Sequence, residues 1–264
     1  MMQDVQSRAD SRGIAIQRVG VKGVKLPFLI KTKQGGEQQV LACIQFTVSL
    51  PQEFKGTHMS RFLEILLPWS AKPLAEEEME AMLEEALTLL HAEAAEVSIS
   101  FTYFIEKAAP VSGRVSLLDV EASFTGRKRR GTPMQFELGL AMPFTSLCPC
   151  SKEISRYGAH NQRSVARVIL RYHEGCPAIY IEDLAVLLER QGSAPIYPLL
   201  KRADEKHVTE EAYEHPKFVE DILRDIVLAL RELPGLSYFS LECENEESIH
   251  HHNAFAAHEE FLAK

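Results

Sequence analysis

The chain has 264 residues, 45% of them hydrophobic and 25% charged, with a formal net charge of −8; it is long enough for one large domain or two, and ordinary in composition for a soluble globular protein. The acidic balance argues against broad nucleic-acid binding, which needs a basic footprint, and no apolar run is long enough to cross a membrane. Met1 to Gly20 lacks the apolar stretch of a signal peptide, and five cysteines, an odd number, argue for reduced thiols in a cytoplasm rather than a disulfide framework.

Residues 1–17 form a polar amino-terminal segment. From Val19 to Lys31, Val and Leu recur near period two with Gly20, Gly23 and Pro27 interrupting, which predicts a kinked strand. Gln34-Gly-Gly-Glu37 predicts a hairpin turn, and Val40 to Leu50 a strand. Met59, Phe62, Ile65 and Leu66, at helical spacing, predict a helix over Thr57–Leu67 that Pro68 closes. Pro73 and the acidic turn Glu76 to Glu80 open a second helix to about Ala92. Val97–Ile105 and Val115–Phe124 complete a first ββααββ series, joined by a turn at Pro110–Gly113.

The second half has the same order. Met134–Phe144 and Ser164–Tyr172 are predicted strands. Ile181–Arg190 is a helix with nearly continuous aliphatic residues (Leu184, Val186, Leu187, Leu188). Phe218–Leu233 is a longer amphipathic helix with Phe218, Ile222, Ile226, Val227 and Leu230 on one face. Leu236–Glu244 and Ile249 to about His258 are the last strands. The halves share no convincing sequence identity, but the repeated order predicts an α+β fold of two ββααββ units, residues 18–130 and 131–264. A four-stranded antiparallel sheet with helices on one face is too narrow to close alone. Joining several into a barrel removes exposed edges, which predicts a homo-oligomer with sites at its seams.

Between the first two strands of the second half lies a mostly polar stretch, Thr145 to Ser164, carrying Cys148-Pro-Cys150 and His160. Cys, His and carboxylate are the ligands Zn²⁺ prefers, and a catalytic zinc keeps three and leaves one position open. The spacing is not that of a zinc finger. In extended chain, residues i and i+2 point the same way, so both sulfurs would face one pocket. A reduced, half-buried cysteine pair at a strand end is the plainer alternative, but the polar company of Ser151, Lys152, His160, Asn161, Gln162 and Arg163 is that of a loop carrying chemistry.

Other clusters have two readings each. Arg127-Lys-Arg-Arg130, bracketed by Gly126 and Gly131, is a solvated hairpin turn or a local attractor for a polyanionic small molecule. Tyr197 to Lys206 reads as a loop between helices in which Glu205 offers a carboxylate, or as a solvated charge run. Glu220 reads by spacing as a surface glutamate. In Glu246-Glu-Ser-Ile-His-His-His-Asn253, strand geometry would put His250 and His252 on one face beside Glu247, the makings of an acid/base relay, or else an exposed histidine-rich edge. His58 sits at a helix start where amide groups and Arg61 could receive phosphate, or is a simple helix entry.

Taken together, Leu147-Cys-Pro-Cys-Ser-Lys-Glu-Ile-Ser155, His160-Asn-Gln-Arg163, Gly56-Thr-His-Met-Ser-Arg-Phe62, Asp204-Glu-Lys206 and Glu247-Ser-Ile-His-His-His-Asn-Ala254 closely resemble the type IB GTP cyclohydrolases. Asp10-Ser-Arg-Gly-Ile14 and Val19-Gly-Val-Lys-Gly23 fit that family's amino-terminal pattern, so the resemblance covers nearly the whole chain. It implies the tunnelling fold (T-fold), a homotetramer, and conversion of GTP and water to formate and 7,8-dihydroneopterin triphosphate, the first committed step toward tetrahydrofolate. It implies Cys148, His160 and Glu205 as ligands of a divalent metal (Zn²⁺, Mn²⁺ or Fe²⁺), Glu220 as the purine anchor, and Cys150, Glu247, His250 and His252 at the reacting end.

The implied chemistry suits these residue types. Purine C8 is a poor electrophile, so a metal must activate the attacking water, while a histidine protonates N7. One carboxylate accepts both N1–H and the 2-amino group of guanine, which adenine lacks. The competing enzyme class is a thiol-nucleophile T-fold enzyme acting on a purine-like or deazapurine base, as 7-cyano-7-deazaguanine reductase does. A non-enzymatic zinc-stabilised interaction module using Arg127–Arg130 would need a metal closed by four protein ligands.

Overall fold

Alternation in the sequence becomes alternation in burial. In β2 (Glu37–Leu50), Val40, Ala42, Ile44, Phe46 and Val48 are buried, while Leu41 and Cys43 face outward. Its antiparallel neighbour β1 (Ile16–Lys31) bends where expected: the register shifts between Lys22 and Val24, at Gly23, whose φ is +73°. The structure, a computed structural model, describes residues 10–176 and 178–263, so most of the amino-terminal polar segment lies outside the described residues.

The first series continues with α1 (Met59–Ser70), the two-residue β3 (Pro73–Leu74), α2 (Glu76–Leu89), β4 (Ala94–Ala108) and β5 (Val115–Arg129). The second runs β6 (Gln135–Leu147), α3 (Pro149–Ile154), β7 (Asn161–Tyr172), α4 (Ile181–Glu189), α5 (Arg202–Glu214), α6 (Val219–Arg231), β8 (Leu236–Asn245) and β9 (Ala254–Phe261). By contacts the chain forms two compact units, one of residues up to Thr102 with Ser123–Leu138, the other of Tyr103–Ala122 with the chain from Gly139 onward. In the first, Phe62, Ile65 and Leu66 of α1 and Met79, Met82 and Leu83 of α2 are buried with the inward residues of β1 and β2, and the Phe46 and Phe62 rings meet edge to face at 5.4 Å. In the second, Ile222, Ile226 and Leu230 of α6 and Leu184 and Leu188 of α4 supply the buried helix positions.

Several elements differ from the sequence expectation. Helix α1 runs through Pro68 to Ser70, because a proline in the last turn removes one hydrogen bond without ending the helix geometry ahead of it. The cysteine stretch contains a short helix, α3, and the expected 197–206 loop gives way at Arg202 to a third full helix, α5. Phe218 is the exposed N-cap of α6, and Val219 takes its place on the buried face. Strand β9 begins at Ala254, so the three histidines stand in the connection after β8 and not on a strand.

The basic run lies mostly on β5, and only Arg130 falls in the turn that follows it. Arg127 is paired with Glu137 at 2.6 Å and Glu96 at 3.3 Å, and Lys128 with Glu80 at 2.6 Å and Glu84 at 2.9 Å. Arg130 donates to the carbonyls of Leu87 and Ala92. The run stitches its own unit together.

Glycine is required at position 20 for another reason than at 23. A Cβ on Gly20 would stand 2.0 Å from the Phe46 carbonyl oxygen, whereas one on Gly23 meets nothing within 4 Å and only the positive φ opposes it. Gly20→Ala is therefore expected to destabilise by about 2–3 kcal/mol, as overpacking does, and Gly23→Ala by about 1 kcal/mol. Urea unfolding of the two variants checks the order.

Candidate active site

Three neighbouring strands of the second unit end in the same way. Along the inward face of β6 the residues are Leu140, Met142, Phe144 and Ser146, and the next in phase is Cys148. On β7, read backwards, they are Leu170, Val168, Ala166, Ser164 and Gln162, then His160. On β8 they are Phe239, Leu241, Cys243 and Asn245, then Glu247. Each apolar row turns polar at its buried end, at one position on β6 and β8 and at two on β7, and the residue beyond it is one singled out by the sequence.

Pairing brings these ends together. The Cys148 amide donates to the His160 carbonyl at 3.1 Å, and the His160 amide donates to the Ser151 hydroxyl at 3.2 Å. Ser164 pairs with Asn245 in the β7–β8 ladder, and the Glu246 amide donates to the Arg163 carbonyl. That register carries Glu247 back towards His160, whose Nδ1 lies 3.9 Å from Glu247 Oε2 and 2.9 Å from Gln162 Oε1. An amide oxygen only accepts, so Nδ1 donates this bond, and Nε2 is the nitrogen left to face a metal ion. This is the form in which a histidine binds a metal ion.

Cys148 is the N-cap of α3, where its sulfur accepts from the Ser151 amide at 3.4 Å. Cys150 falls in the first turn of α3 and is exposed. The helix replaces the extended geometry that would have aligned the two sulfurs.

Glu205 stands exposed on the first turn of α5. Among the described residues no group of three His, Cys, Asp or Glu side chains is gathered closely enough to hold a metal ion. Helix α5 is nevertheless fastened at both ends. At its start Asp204, fully buried, accepts from the amides of Val111, Ser112 and Lys201, each at 2.8 Å, and from the Ser112 hydroxyl at 2.7 Å. Near its end Lys152 of α3 donates to the Tyr213 carbonyl and lies over the Tyr213 ring at 4.3 Å. Burial alone would push the Asp204 carboxyl up, but the Ser112 and backbone bonds outweigh it and hold it well below the usual carboxylate range.

Glu220 is exposed on the first turn of α6. His250 and His252 are exposed in the β8–β9 connection, where their rings stack at 5.3 Å. His58, the N-cap of α1, and Arg61, which donates to the Leu89 carbonyl, belong to the first unit. Ser146, Ser164 and Asn245 carry structure at the site without having been singled out, and Asp204 was quoted in a motif without a role of its own. Their signal was available: a polar residue in the phase of an apolar row, or one step before a flagged carboxylate.

A family model described as "Type I GTP cyclohydrolase folE2" matches residues 2–256. The chain is 50% identical over 259 residues to the GTP cyclohydrolase FolE2 of Geobacter sulfurreducens, covering 98% of each. It is 48% identical to that of Bordetella avium, covering 97% of this chain and 95% of that one. Among solved structures, the uricase of Arthrobacter globiformis aligns with a TM-score of 0.52 at 7% identity, covering 93% of both chains. The urate oxidase of Bacillus subtilis aligns with a TM-score of 0.52 at 10% identity, covering 93% of this chain and 98% of that one. Identities this low show the fold alone, and that fold is the tunnelling fold.

The Asp204 clamp makes stability depend on pH in one direction. A carboxyl held down in the folded state stabilises it fully above its unfolded value, ordinarily 3.8, and ceases to as pH falls below that value. Wild type is expected to melt above Asp204→Asn at neutral pH, with the gap closing once pH drops below 3.8. Thermal unfolding of both proteins across that range checks it.

Proposed function

The chain belongs to the type I GTP cyclohydrolase FolE2 family, and on that premise we propose that it is a type IB GTP cyclohydrolase, taking GTP and water to formate and 7,8-dihydroneopterin triphosphate as the first step toward tetrahydrofolate. The observation that supports this reading best is the His160 ring, with Nδ1 committed to Gln162 and facing Glu247. Cys148 and His160, with Glu205 as third donor, would hold a divalent ion, and a thiolate–imidazole–carboxylate set accepts Zn²⁺, Mn²⁺ or Fe²⁺. When bound, that ion supplies a water acidic enough to attack purine C8 at neutral pH.

The chain's own residues do the rest. Glu220 accepts N1–H and the 2-amino group of guanine, a charge-assisted bidentate pair that adenine lacks. Glu247, beside His160, takes and returns protons as the ring opens, and His250 and His252 extend that exchange toward the ribose, imidazole being the side chain suited to it at neutral pH. Cys150 lines the reacting end. His58 and Arg61 receive the triphosphate, where a helix start and a guanidinium both favour anions.

The two ββααββ repeats, residues 18–130 and 131–264, are the unit of duplication, and the subunits join as a homotetramer. On the sheet faces turned away from the helices, Leu41 of the first unit and Leu117, Ile169 and Phe255 of the second are exposed, which favours such assembly. All five cysteines are unpaired, in keeping with a reducing cytoplasm. Among the described residues no helix is long and apolar enough to cross a membrane.

The test is incubation with GTP and each divalent metal in turn, with formate and the pterin product identified. Chelation is expected to abolish turnover; GTP consumption that survives chelation would replace this reading with the thiol-nucleophile one. Cys148→Ala is expected to lose bound metal and turnover together. Glu220→Gln is expected to lose about a hundredfold in kcat/KM, as removal of a charge-assisted bidentate pair to the base does, with metal content unchanged. Near-wild-type kinetics for that variant would remove Glu220 from the site.

A further inference from the structure

Behind the His160 ring runs a chain of side-chain hydrogen bonds that the catalytic assignments leave unused. Gln162 Nε2 lies 3.0 Å from Ser146 Oγ, Ser146 Oγ lies 2.8 Å from Ser164 Oγ, and Ser164 Oγ lies 2.7 Å from Asn245 Oδ1. The four residues are 8%, 0%, 1% and 3% exposed in the order Gln162, Ser146, Ser164, Asn245. Buried polar groups at such positions lose free energy unless every donor and acceptor is matched.

The chain has a direction. Asn245 Oδ1 only accepts, so the one proton of Ser164 goes to it. The bond between the serines must then be made by the proton of Ser146, which leaves Ser146 an acceptor towards Gln162. Gln162 therefore turns its amide N–H to Ser146 and its oxygen to His160. With the Asn245 oxygen on Ser164, reversing the Gln162 amide would put its oxygen against Ser146, which has no proton left to give.

We propose that Gln162, Ser146, Ser164 and Asn245 are positioning residues that hold His160 in its Nδ1–H form, so that Nε2 is presented to the divalent ion before the ion arrives. Outer hydrogen-bond partners of this kind commonly govern metal affinity by 10–100-fold. The four act through His160, and touch neither substrate nor ion. The inference rests on the assignment of Cys148 and His160 as ligands.

The experiment measures Co²⁺ affinity of the full-length protein by competition with a chromophoric chelator, together with the sulfur-to-cobalt absorption band. Gln162→Met, which keeps length and loses the acceptor, is expected to weaken Co²⁺ binding at least tenfold while the band at saturation persists. Gln162→Glu restores an acceptor at Nδ1 and is expected to bind within about threefold of wild type, a carboxylate being the common partner of such a histidine. A merely structural role for position 162 would not separate these two variants. Ser146→Ala, which removes the link without touching the ring, is expected to weaken binding in the same sense as Gln162→Met.

Folded Gln162→Met protein with wild-type affinity, or Gln162→Glu as weak as Gln162→Met, overturns the inference and leaves the ligand assignment standing. If wild type shows no sulfur-to-cobalt band, or Cys148→Ala keeps it, the ligand assignment fails and the inference with it. Should Ser146→Ala fail to fold, the comparison of the two Gln162 variants decides alone.

Discussion

A polar group removed from water must find partners within the protein, and the ends of β6, β7 and β8 meet that constraint together. Ser146, Gln162, Ser164 and Asn245 are almost fully buried at positions that would otherwise be apolar, and each is answered by another. One unmatched buried donor or acceptor would cost about 1–3 kcal/mol. The arrangement therefore locks strand register as well as side-chain orientation, since a slip of one strand by one residue would send its own members of the cluster to the opposite face.

Everything at the site hangs from that cluster. Cys148, His160 and Glu247 each stand one alternation beyond it, so the strands deliver a thiol, an imidazole and a carboxylate to one edge of the sheet. Apolar rows hold the strands from below, with Phe144, Val168 and Leu241 buried. These strand ends thus borrow their rigidity from the core, while Cys150, His250 and His252, proposed for the same site, are exposed on a helix start and a connection.

Helix α5 obeys the same rule. Asp204 is a charge with no access to water, and it is tolerated because three amides and a hydroxyl converge on it. Its neighbour Glu205 is left exposed, held in place by the clamp beside it and by the Lys152–Tyr213 contact further along the helix. A buried carboxylate fixes the backbone, and the next residue is left available for chemistry.

Much of the fold was legible because period-two and helical spacing are local. Val40 to Leu50 and the buried face of α6 were marked by alternation alone, and the kink at Gly23 by a residue that admits positive φ. Helix α5 was missed because Arg202 to Glu214 is polar almost throughout, and the contacts that fix its start, Asp204 with Val111 and Ser112, come from more than ninety positions earlier. The histidines were assigned to a strand because their sequence does not show where pairing with β8 begins. The sequence motifs and the family they resemble singled out the groups proposed for the chemistry: Cys148, His160, Glu205, Glu220, Glu247. Only the tertiary structure decided which nitrogen of His160 is free, because that depends on a hydrogen-bond direction set at Asn245 and passed through two serines from other parts of the chain. Hydrogen-bond direction is a property of neighbours in space, and no spacing along one strand encodes it.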